Sequence, residues 1–408
     1  MKCGLLGGKL GHSYSPQIHR RLGDYSYELF EKNAEELENF LRNGDFVGLN
    51  VTIPYKKAVI PYCAELSPRA KALGAVNTVV RRSDGSLIGH NTDYFGLQMM
   101  LRASGLQVAN KKVLVLGTGG ASNTAVAVLQ AQGAKVVVIS RSGKNNYENL
   151  QLHSDAAVIV NATPVGMYPN VGESPVDLAF FPALEGVLDV IYNPARTKLL
   201  LDAESRGLIT CNGLLMLVAQ AKESAEWFTG NPIDDNIIPA IHRKLRNQME
   251  NIVLIGMPGS GKSTVGKLLA ELTGKIFVDT DAYLVEKAGM SIPEIFATEQ
   301  EAGFRALETE VLAQLGMQSG LIIATGGGCV TQERNYPLLH QNGTLFWLQR
   351  DLDRLPVDGR PLSQTTDLSK MYEIRKPMYQ CFADHSIDNN GSPADTAQAI
   401  LNIWEGNV

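Results

Sequence analysis

Short apolar runs rich in Val, Ile and Leu alternate along the chain with longer stretches in which apolar positions recur every three or four residues. The first pattern predicts strands buried on both faces, the second helices with one buried face. Strands are expected at Gly48–Thr52, Val113–Leu116, Val136–Ile139, Val158–Val160, Val187–Val190, Ile252–Ile255, Ile276–Val278, Leu321–Ala324 and Thr344–Leu348. Helices are expected at Glu35–Arg42, Phe95–Ala103, Asn123–Ala131, Lys198–Arg206, Leu214–Phe228, Ile237–Leu245, Thr264–Leu272, Phe304–Leu315, Tyr372–Phe382 and Ala394–Trp404. Such alternation predicts an α/β fold with parallel sheets. Met1–Gly8 carries one charge and a very short apolar run, so it reads as a first strand and not as a secretion signal. No apolar run reaches the ~18 residues of a membrane span.

Two strand–glycine–helix units stand out, and they differ in kind. In the first, Val113–Leu116 runs into Gly117-Thr118-Gly119-Gly120-Ala121-Ser122. Such a turn lets the backbone approach a pyrophosphate at a helix N-terminus, although an ordinary tight turn looks the same. Ser122 occupies the third glycine position of the GxGxxG pattern. Gly117, Gly119, Gly120 and Ala121 are the candidate cofactor contacts. The next strand ends in Ser140-Arg141-Ser142, with Lys144 close behind. An acidic residue there would accept from ribose hydroxyls, whereas Arg141 and Lys144 suit a 2′-phosphate and favour NADP(H).

In the second unit, Gly256-Met257-Pro258-Gly259-Ser260-Gly261-Lys262-Ser263 satisfies GxxxxGK[ST] between a strand and a helix. That context predicts a P-loop for ATP. The Gly256, Gly259, Ser260, Gly261 and Thr264 positions wrap the phosphates, Lys262 reaches the β/γ oxygens, and the Ser263 hydroxyl is a ligand for Mg²⁺. Two different phosphate loops predict two nucleotide sites, with a boundary within Arg246–Glu250.

Composition narrows the partners. Of 408 residues 44% are hydrophobic and 19% charged, and the net charge is −5, so nothing points to nucleic acid or an anionic membrane. Small anionic substrates remain compatible, and oligomeric state is not legible. The five cysteines (Cys3, Cys63, Cys211, Cys329, Cys381) are widely spaced with no CxxC, which fits reduced thiols in a cytoplasmic protein.

An ordered set of motifs then becomes specific. It comprises Gly11-His12-Ser13-Tyr14-Ser15-Pro16, Asn50-Val51-Thr52-Ile53-Pro54-Tyr55-Lys56, Gly74-Ala75-Val76-Asn77-Thr78 and Gly89-His90-Asn91-Thr92-Asp93, followed by Asn161–Met167, Asp189–Pro194 and Gly213–Gln220. Together these resemble shikimate dehydrogenase over about residues 1–246. The resemblance implies Lys56 as proton donor with Asp93 as its orienting partner. Ser13, Ser15 and Tyr192 suit the substrate carboxylate, and Asn50, Thr52, Asn77 and Gln220 its hydroxyls. Ser13 and Ser15 also precede a helix, so N-capping stays open for them. Asn212 departs from the family's usual Asp and is given no catalytic role.

Downstream, Val278-Asp279-Thr280-Asp281, Ser291–Phe296, Phe304-Arg305-Ala306-Leu307-Glu308, Gly326-Gly327-Gly328, Arg360-Pro361-Leu362 and Arg375–Tyr379 resemble shikimate kinase over about residues 251–408. This implies Asp281, Arg305, Gly327, Gly328 and Arg375 around shikimate, two arginines suiting its carboxylate. Asp279 would hold Mg²⁺ through water. Arg360, in a stretch with few apolar anchors, would arrive with a lid to neutralise the transferred phosphoryl group. Arg354 either stacks on adenine or is a surface arginine.

The expected architecture is therefore α/β, in two parts. Residues 1–248 form a two-subdomain dehydrogenase, with a substrate subdomain of about 1–100 plus 213–248 and a Rossmann-like NADP subdomain of about 101–212. Residues 249–408 form a P-loop kinase domain with a parallel sheet and helices on both faces. Quinate in place of shikimate, a gluconate-type or nucleotide kinase, and a non-catalytic regulatory fusion remain open as alternatives.

Overall fold

The computed structural model describes residues 1–11, 13–355 and 368–406. The chain divides into two compact units. The first comprises Met1–Met167, Glu173–Tyr192 and Asp202–Lys244; the second comprises Tyr168–Gly172, Asn193–Leu201 and Leu245–Val408. Among the described residues no helix is long and apolar enough to cross a membrane.

The first unit holds two sheets. One contains β1 (Lys2–Gly7), β2 (Ser26–Glu31), β3 (Gly48–Val51), β4 (Glu65–Leu66), β5 (Thr78–Arg81) and β6 (Leu87–His90), in the order β2-β1-β3-β5-β6-β4. It is mixed, not parallel as the alternation predicts: β5 runs antiparallel to both β3 and β6. The cause is local. Arg82–Ser86 closes a short turn in which the Arg82 N–H donates to the Ser86 carbonyl at 2.8 Å and Asp84 Oδ1 accepts from the Ser86 N–H at 2.9 Å. A connection that short can join only antiparallel neighbours. Leu6, Leu49, Val51, Val76 and Val79 build the core of this sheet.

The second sheet contains β7 (Lys112–Leu116), β8 (Lys135–Ile139), β9 (Val158–Asn161), β10 (Gly186–Asp189) and β11 (Ile209–Cys211), all parallel, in the order β11-β10-β9-β7-β8. The order reverses direction at β7, so the crevice beyond its carboxyl end, where the first glycine turn begins, is the topological switch point.

The second unit carries β12 (Asn251–Ile255), β13 (Ile276–Asp279), β14 (Leu321–Ala324), β15 (Gly343–Gln349) and β16 (His385–Asp388), all parallel, in the order β13-β14-β12-β15-β16. Successive residues feed two cores. Val253, Ile255, Ile323, Leu345 and Trp347 pack with residues of helices Thr280–Ala288, Ile292–Gly316 and Leu368–Phe382. Ile252, Leu254, Ile322, Phe346 and Leu348 pack with Lys262–Thr273 and Pro393–Trp404. Both faces are covered, which is why these strands read as continuous apolar runs. The helix expected from Phe304 begins earlier, at Ile292 behind a Ser291/Glu294 capping box, and is broken at Gln300 (φ 58°).

Candidate active sites

In the first unit the Lys56 and Asp93 side chains meet, Nζ to Oδ2 at 2.5 Å. Lys56 lies in the loop after β3, while Asp93 opens helix Asp93–Ser104 and is buried. A carboxylate in a first helical turn is favoured by the free N–H groups there. Under the pair lies a buried polar network. Asn77 Nδ2 donates to Thr92 Oγ1 (3.0 Å) and Gln220 Oε1 (3.5 Å), and Asn77 Oδ1 accepts from the Thr92 N–H (2.7 Å). Asn50 Nδ2 donates to Ser224 Oγ (2.7 Å), and Asn50 Oδ1 accepts from the Tyr27 hydroxyl (2.7 Å). Asn50, Asn77 and Gln220 are thus oriented by protein partners. Thr52 follows β3 directly, on the segment that carries Lys56. Ser15 is buried at the start of helix Ser15–His19, and Ser13 Oγ accepts from the Ser15 N–H at 3.2 Å. The N-cap position is Tyr14, which makes no side-chain cap bond, while Ser13 meets the first N–H of the helix from one residue further back. Tyr192 packs edge-on against Tyr14, and burial raises its phenol above the usual range.

The glycine turn stands beside this pair: a methyl at Gly120 would lie 3.9 Å from Lys56 Cδ. Gly117 adopts φ +104°, where an L side chain is strained, and Gly120 opens helix Gly120–Ala131, which also contains Ala121. Ser122 accounts for the broken motif, because its hydroxyl donates to the Gly117 carbonyl at 2.6 Å and closes the turn from inside. Arg141 and Lys144 are both exposed beyond β8. Their loop is braced by Ser140 N–H to Asn145 carbonyl (3.2 Å) and Asn149 Nδ2 to Lys144 carbonyl (2.9 Å), which leaves both cations outward.

In the second unit one cavity of about 830 Å³ is lined by the phosphate loop, Asp279, Asp281, Arg305, Glu308, Gly326–Gly328, Arg350 and Arg375. Gly259, Gly261, Lys262, Ser263 and Thr264 all face it, while Gly256 and the buried Ser260 shape the loop behind. Lys262 Nζ donates to the carbonyls of Gly256 (2.9 Å) and Met257 (3.0 Å). Asn389, at the end of β16, donates to the Ser260 carbonyl at 2.5 Å and pins the loop. Ser263 Oγ donates to Asp279 Oδ2 at 2.7 Å, while Asp279 Oδ1 accepts from the N–H groups of Asp281 and Ala282. One hydroxyl and one carboxylate beside a phosphate loop are the hard oxygen donors that suit Mg²⁺, which keeps most of its water.

Arg305 is buried, with Nη1 2.8 Å from Glu308 Oε2 and Nη2 3.3 Å from Glu301 Oε1. Burial opposes its charge, but Glu308 outweighs this and holds the guanidinium charged, whereas burial raises the Glu308 carboxyl above its usual range. Arg375 donates to the Gly327 carbonyl at 3.2 Å, as does Tyr379 at 2.5 Å. The three glycines are required by close approach. A Cβ at Gly326 would stand 2.7 Å from Asp281 Oδ1, one at Gly327 2.6 Å from Pro258 Cδ, and one at Gly328 2.5 Å from Arg305 Nη2.

Comparison with known proteins places the chain in a family. Residues 5–79 match the shikimate dehydrogenase substrate binding domain, and residues 258–405 match shikimate kinase. A shikimate dehydrogenase (NADP(+)) of Clostridium perfringens is 34% identical over 265 residues, covering 60% of this chain and 97% of that protein. The chain belongs to the shikimate dehydrogenase family, with a shikimate kinase domain following. Among solved structures, shikimate dehydrogenase 1 from Peptoclostridium difficile is 41% identical with a TM-score of 0.56, covering 60% of this chain and 97% of that one. The Thermus thermophilus shikimate 5-dehydrogenase in complex with NADP(H) and shikimate is 30% identical with a TM-score of 0.55, covering 60% and 99%.

Within the shikimate kinase domain, not every expected residue reaches the cavity. Arg354 is not among its lining residues; it donates to the Asn390 carbonyl at 2.8 Å on an exposed surface. Arg350, four residues earlier, does line it, although a single arginine after a strand carries no motif. Glu308 and Tyr379 lie within the motifs without an expected role; the structure ties one to Arg305 and the other to Gly327. Arg360 lies outside the described residues. In the dehydrogenase part, Asn212 Oδ1 accepts from the Leu214 N–H at 3.1 Å, a turn role at the start of helix Leu214–Thr229.

Proposed function

We propose that the chain catalyses two consecutive reactions: NADPH-dependent reduction of 3-dehydroshikimate to shikimate, and ATP-dependent phosphorylation of shikimate to shikimate 3-phosphate. For the first, the supporting observation is the Lys56–Asp93 pair set against the glycine turn. Gly117–Ala121 would hold NADPH, Arg141 and Lys144 would suit its 2′-phosphate, and the bound cofactor would supply a hydride. Lys56 Nζ donates the proton that the carbonyl oxygen takes up, and Asp93 keeps that ammonium aimed. Ser13, Ser15 and Tyr192 hold the substrate carboxylate, while Asn50, Thr52, Asn77 and Gln220 read its hydroxyls; the partners that pre-orient the two asparagines lower the cost of doing so.

For the second reaction, the supporting observation is that the phosphate loop shares a cavity with Asp281, Arg305 and Arg375. The two guanidiniums hold shikimate by its carboxylate, and the Gly327 and Gly328 backbone passes close beneath. Asp281 accepts from the hydroxyl that attacks, while Lys262 and the loop N–H groups hold the phosphates. Mg²⁺ at Ser263 and, through water, Asp279 would shield the charge between them. The partners are thus small carboxylated molecules, and five cysteines without a disulfide support a cytoplasmic setting.

A single mixture of 3-dehydroshikimate, NADPH, ATP and Mg²⁺ tests both halves. Loss of NADPH absorbance followed by ATP-dependent shikimate 3-phosphate is expected. Reduction without phosphorylated product would sink the kinase half, and faster turnover of 3-dehydroquinate would move the first half to quinate.

A further inference from the structure

Arg350 immediately follows β15, the neighbour of β12, and β12 runs straight into the phosphate loop. It therefore stands at the carboxyl edge of the sheet, where ligands of parallel α/β folds bind. It lines the same cavity as Gly261, Lys262, Ser263 and Thr264. Its Nη1 is 3.8 Å from the point where a Cβ on Gly261 would stand, so the guanidinium faces the loop. Its Nε is buried and has no hydrogen-bond partner among the described residues.

A half-buried guanidinium with an unused buried N–H is unfavourable until an acceptor completes it. Nearby acceptors are engaged elsewhere. Asp351 Oδ1 accepts from Asn390 Nδ2 (3.2 Å) and its Oδ2 lies 4.0 Å from Arg354 Nε, while Asp388 Oδ1 accepts from Asn390 Nδ2 (2.8 Å). Phosphate oxygens brought into the loop would supply such an acceptor. There the N–H groups at the start of helix Lys262–Thr273 already favour an anion, and a planar guanidinium matches phosphate oxygens two at a time.

We propose that Arg350 is a nucleotide-binding residue, clamping the phosphate chain of ATP against the loop as a second side-chain cation beside Lys262. The assignment rests on the kinase reading. It also explains why Arg354, bonded to Asn390, has no part in the cavity.

The test uses the full chain. Arg350→Ala should raise the KM for ATP by roughly 10–100-fold, the size expected for hydrogen bonds to a charged group, with the shikimate KM and dehydrogenase activity unchanged. Inorganic pyrophosphate, a competitor that carries phosphates without base or ribose, should lose potency by a similar factor. Arg350→Lys should recover part of both losses. Arg350→Gln keeps the size without the charge and serves the same comparison should the alanine variant fold poorly. An unchanged ATP KM, or a raised one with pyrophosphate potency intact, overturns the assignment. A wild-type chain that binds neither ATP nor pyrophosphate overturns the kinase reading and this assignment with it. A wild-type chain that phosphorylates shikimate with an ATP KM and a pyrophosphate potency matched by Arg350→Ala overturns this assignment alone.

Discussion

Gly328 shows how one atom's worth of space positions a charge. An added Cβ would stand 2.5 Å from Arg305 Nη2, on a guanidinium that also pairs with Glu308 and Glu301. Gly328→Ala should therefore displace the guanidinium and weaken shikimate binding by ~10-fold or more, while ADP binding changes little. Calorimetric titration with each ligand separates the two, and an equal loss for both would mean that the whole cavity had collapsed. Arg141 acts differently. It is exposed beyond β8, so any part it takes in binding would act through its charge. Arg141→Ala should weaken NADPH binding by ~1.5–3 kcal/mol and leave NADH nearly unaffected. Equal losses for both cofactors would remove Arg141 from the 2′-phosphate. Gly328 can be singled out in the sequence because it sits in a glycine motif, and Arg141 because it follows the second strand of a nucleotide-binding unit. Arg350 and the closing bond of Ser122 cannot, because what marks them is a distance to a loop, and neither residue type nor spacing encodes it.

At the scale of elements, β7, β8, β9, β10, β12, β13, β14 and β15 stand within a residue or two of their expected places, because each spells a continuous apolar run, the inner ones as strands buried on both faces and the edge strands β8 and β13 only partly buried. β2 (Ser-Tyr-Glu-Leu-Phe-Glu) is an edge strand with polar residues interleaved, and β4 is two residues long; neither offers such a run. Helix Leu214–Thr229 was legible, but the way it meets the mixed sheet was not. His90 stacks on Trp227 of that helix at 3.6 Å, and His19 stacks on Tyr27 at 3.9 Å and on Phe228 at 5.7 Å. Burial lowers His90 to about 4 and His19 to about 3. Both are neutral when folded, whereas in the unfolded chain each takes a proton near its ordinary pKa of ~6.5. Their stabilising effect is thus complete above pH ~6.5 and is lost as pH falls through 4 for His90 and through 3 for His19. His90→Phe keeps a ring on Trp227 and removes the titration. It should abolish about 3 kcal/mol of the acid-induced loss between pH 6.5 and 4, read as the denaturant midpoint for loss of dehydrogenase activity. If wild type and variant fall in parallel over that window, the histidines are not the acid-sensitive contacts.

At the scale of the whole molecule, the distribution of residues between the two units carries the argument. Every described residue proposed for the reduction, from Ser13 to Gln220, belongs to the first unit, and every described one proposed for phosphorylation, from Gly256 to Arg375, to the second. The first constellation gathers at the carboxyl ends of β3 and β7, one from each sheet of the first unit, and the second at the carboxyl ends of β12 and β13 in the single sheet of the second unit. No described residue proposed for one reaction lies in the other unit, so the two chemistries should be separable by single substitutions. Lys56→Met removes the proposed proton donor and leaves an apolar chain of similar length. It should lower dehydrogenase turnover by ~10²–10⁴-fold with kinase activity near normal. Lys262→Met should abolish detectable phosphorylation and leave the reduction near wild type, because Lys262 Nζ bonds to carbonyls of its own loop. Assaying both activities on each variant, with circular dichroism to verify folding, gives a crossed pattern if the sites are independent. A folded variant that loses both activities at once would show that the two reactions share machinery, and that the division of residues between units does not describe how they work.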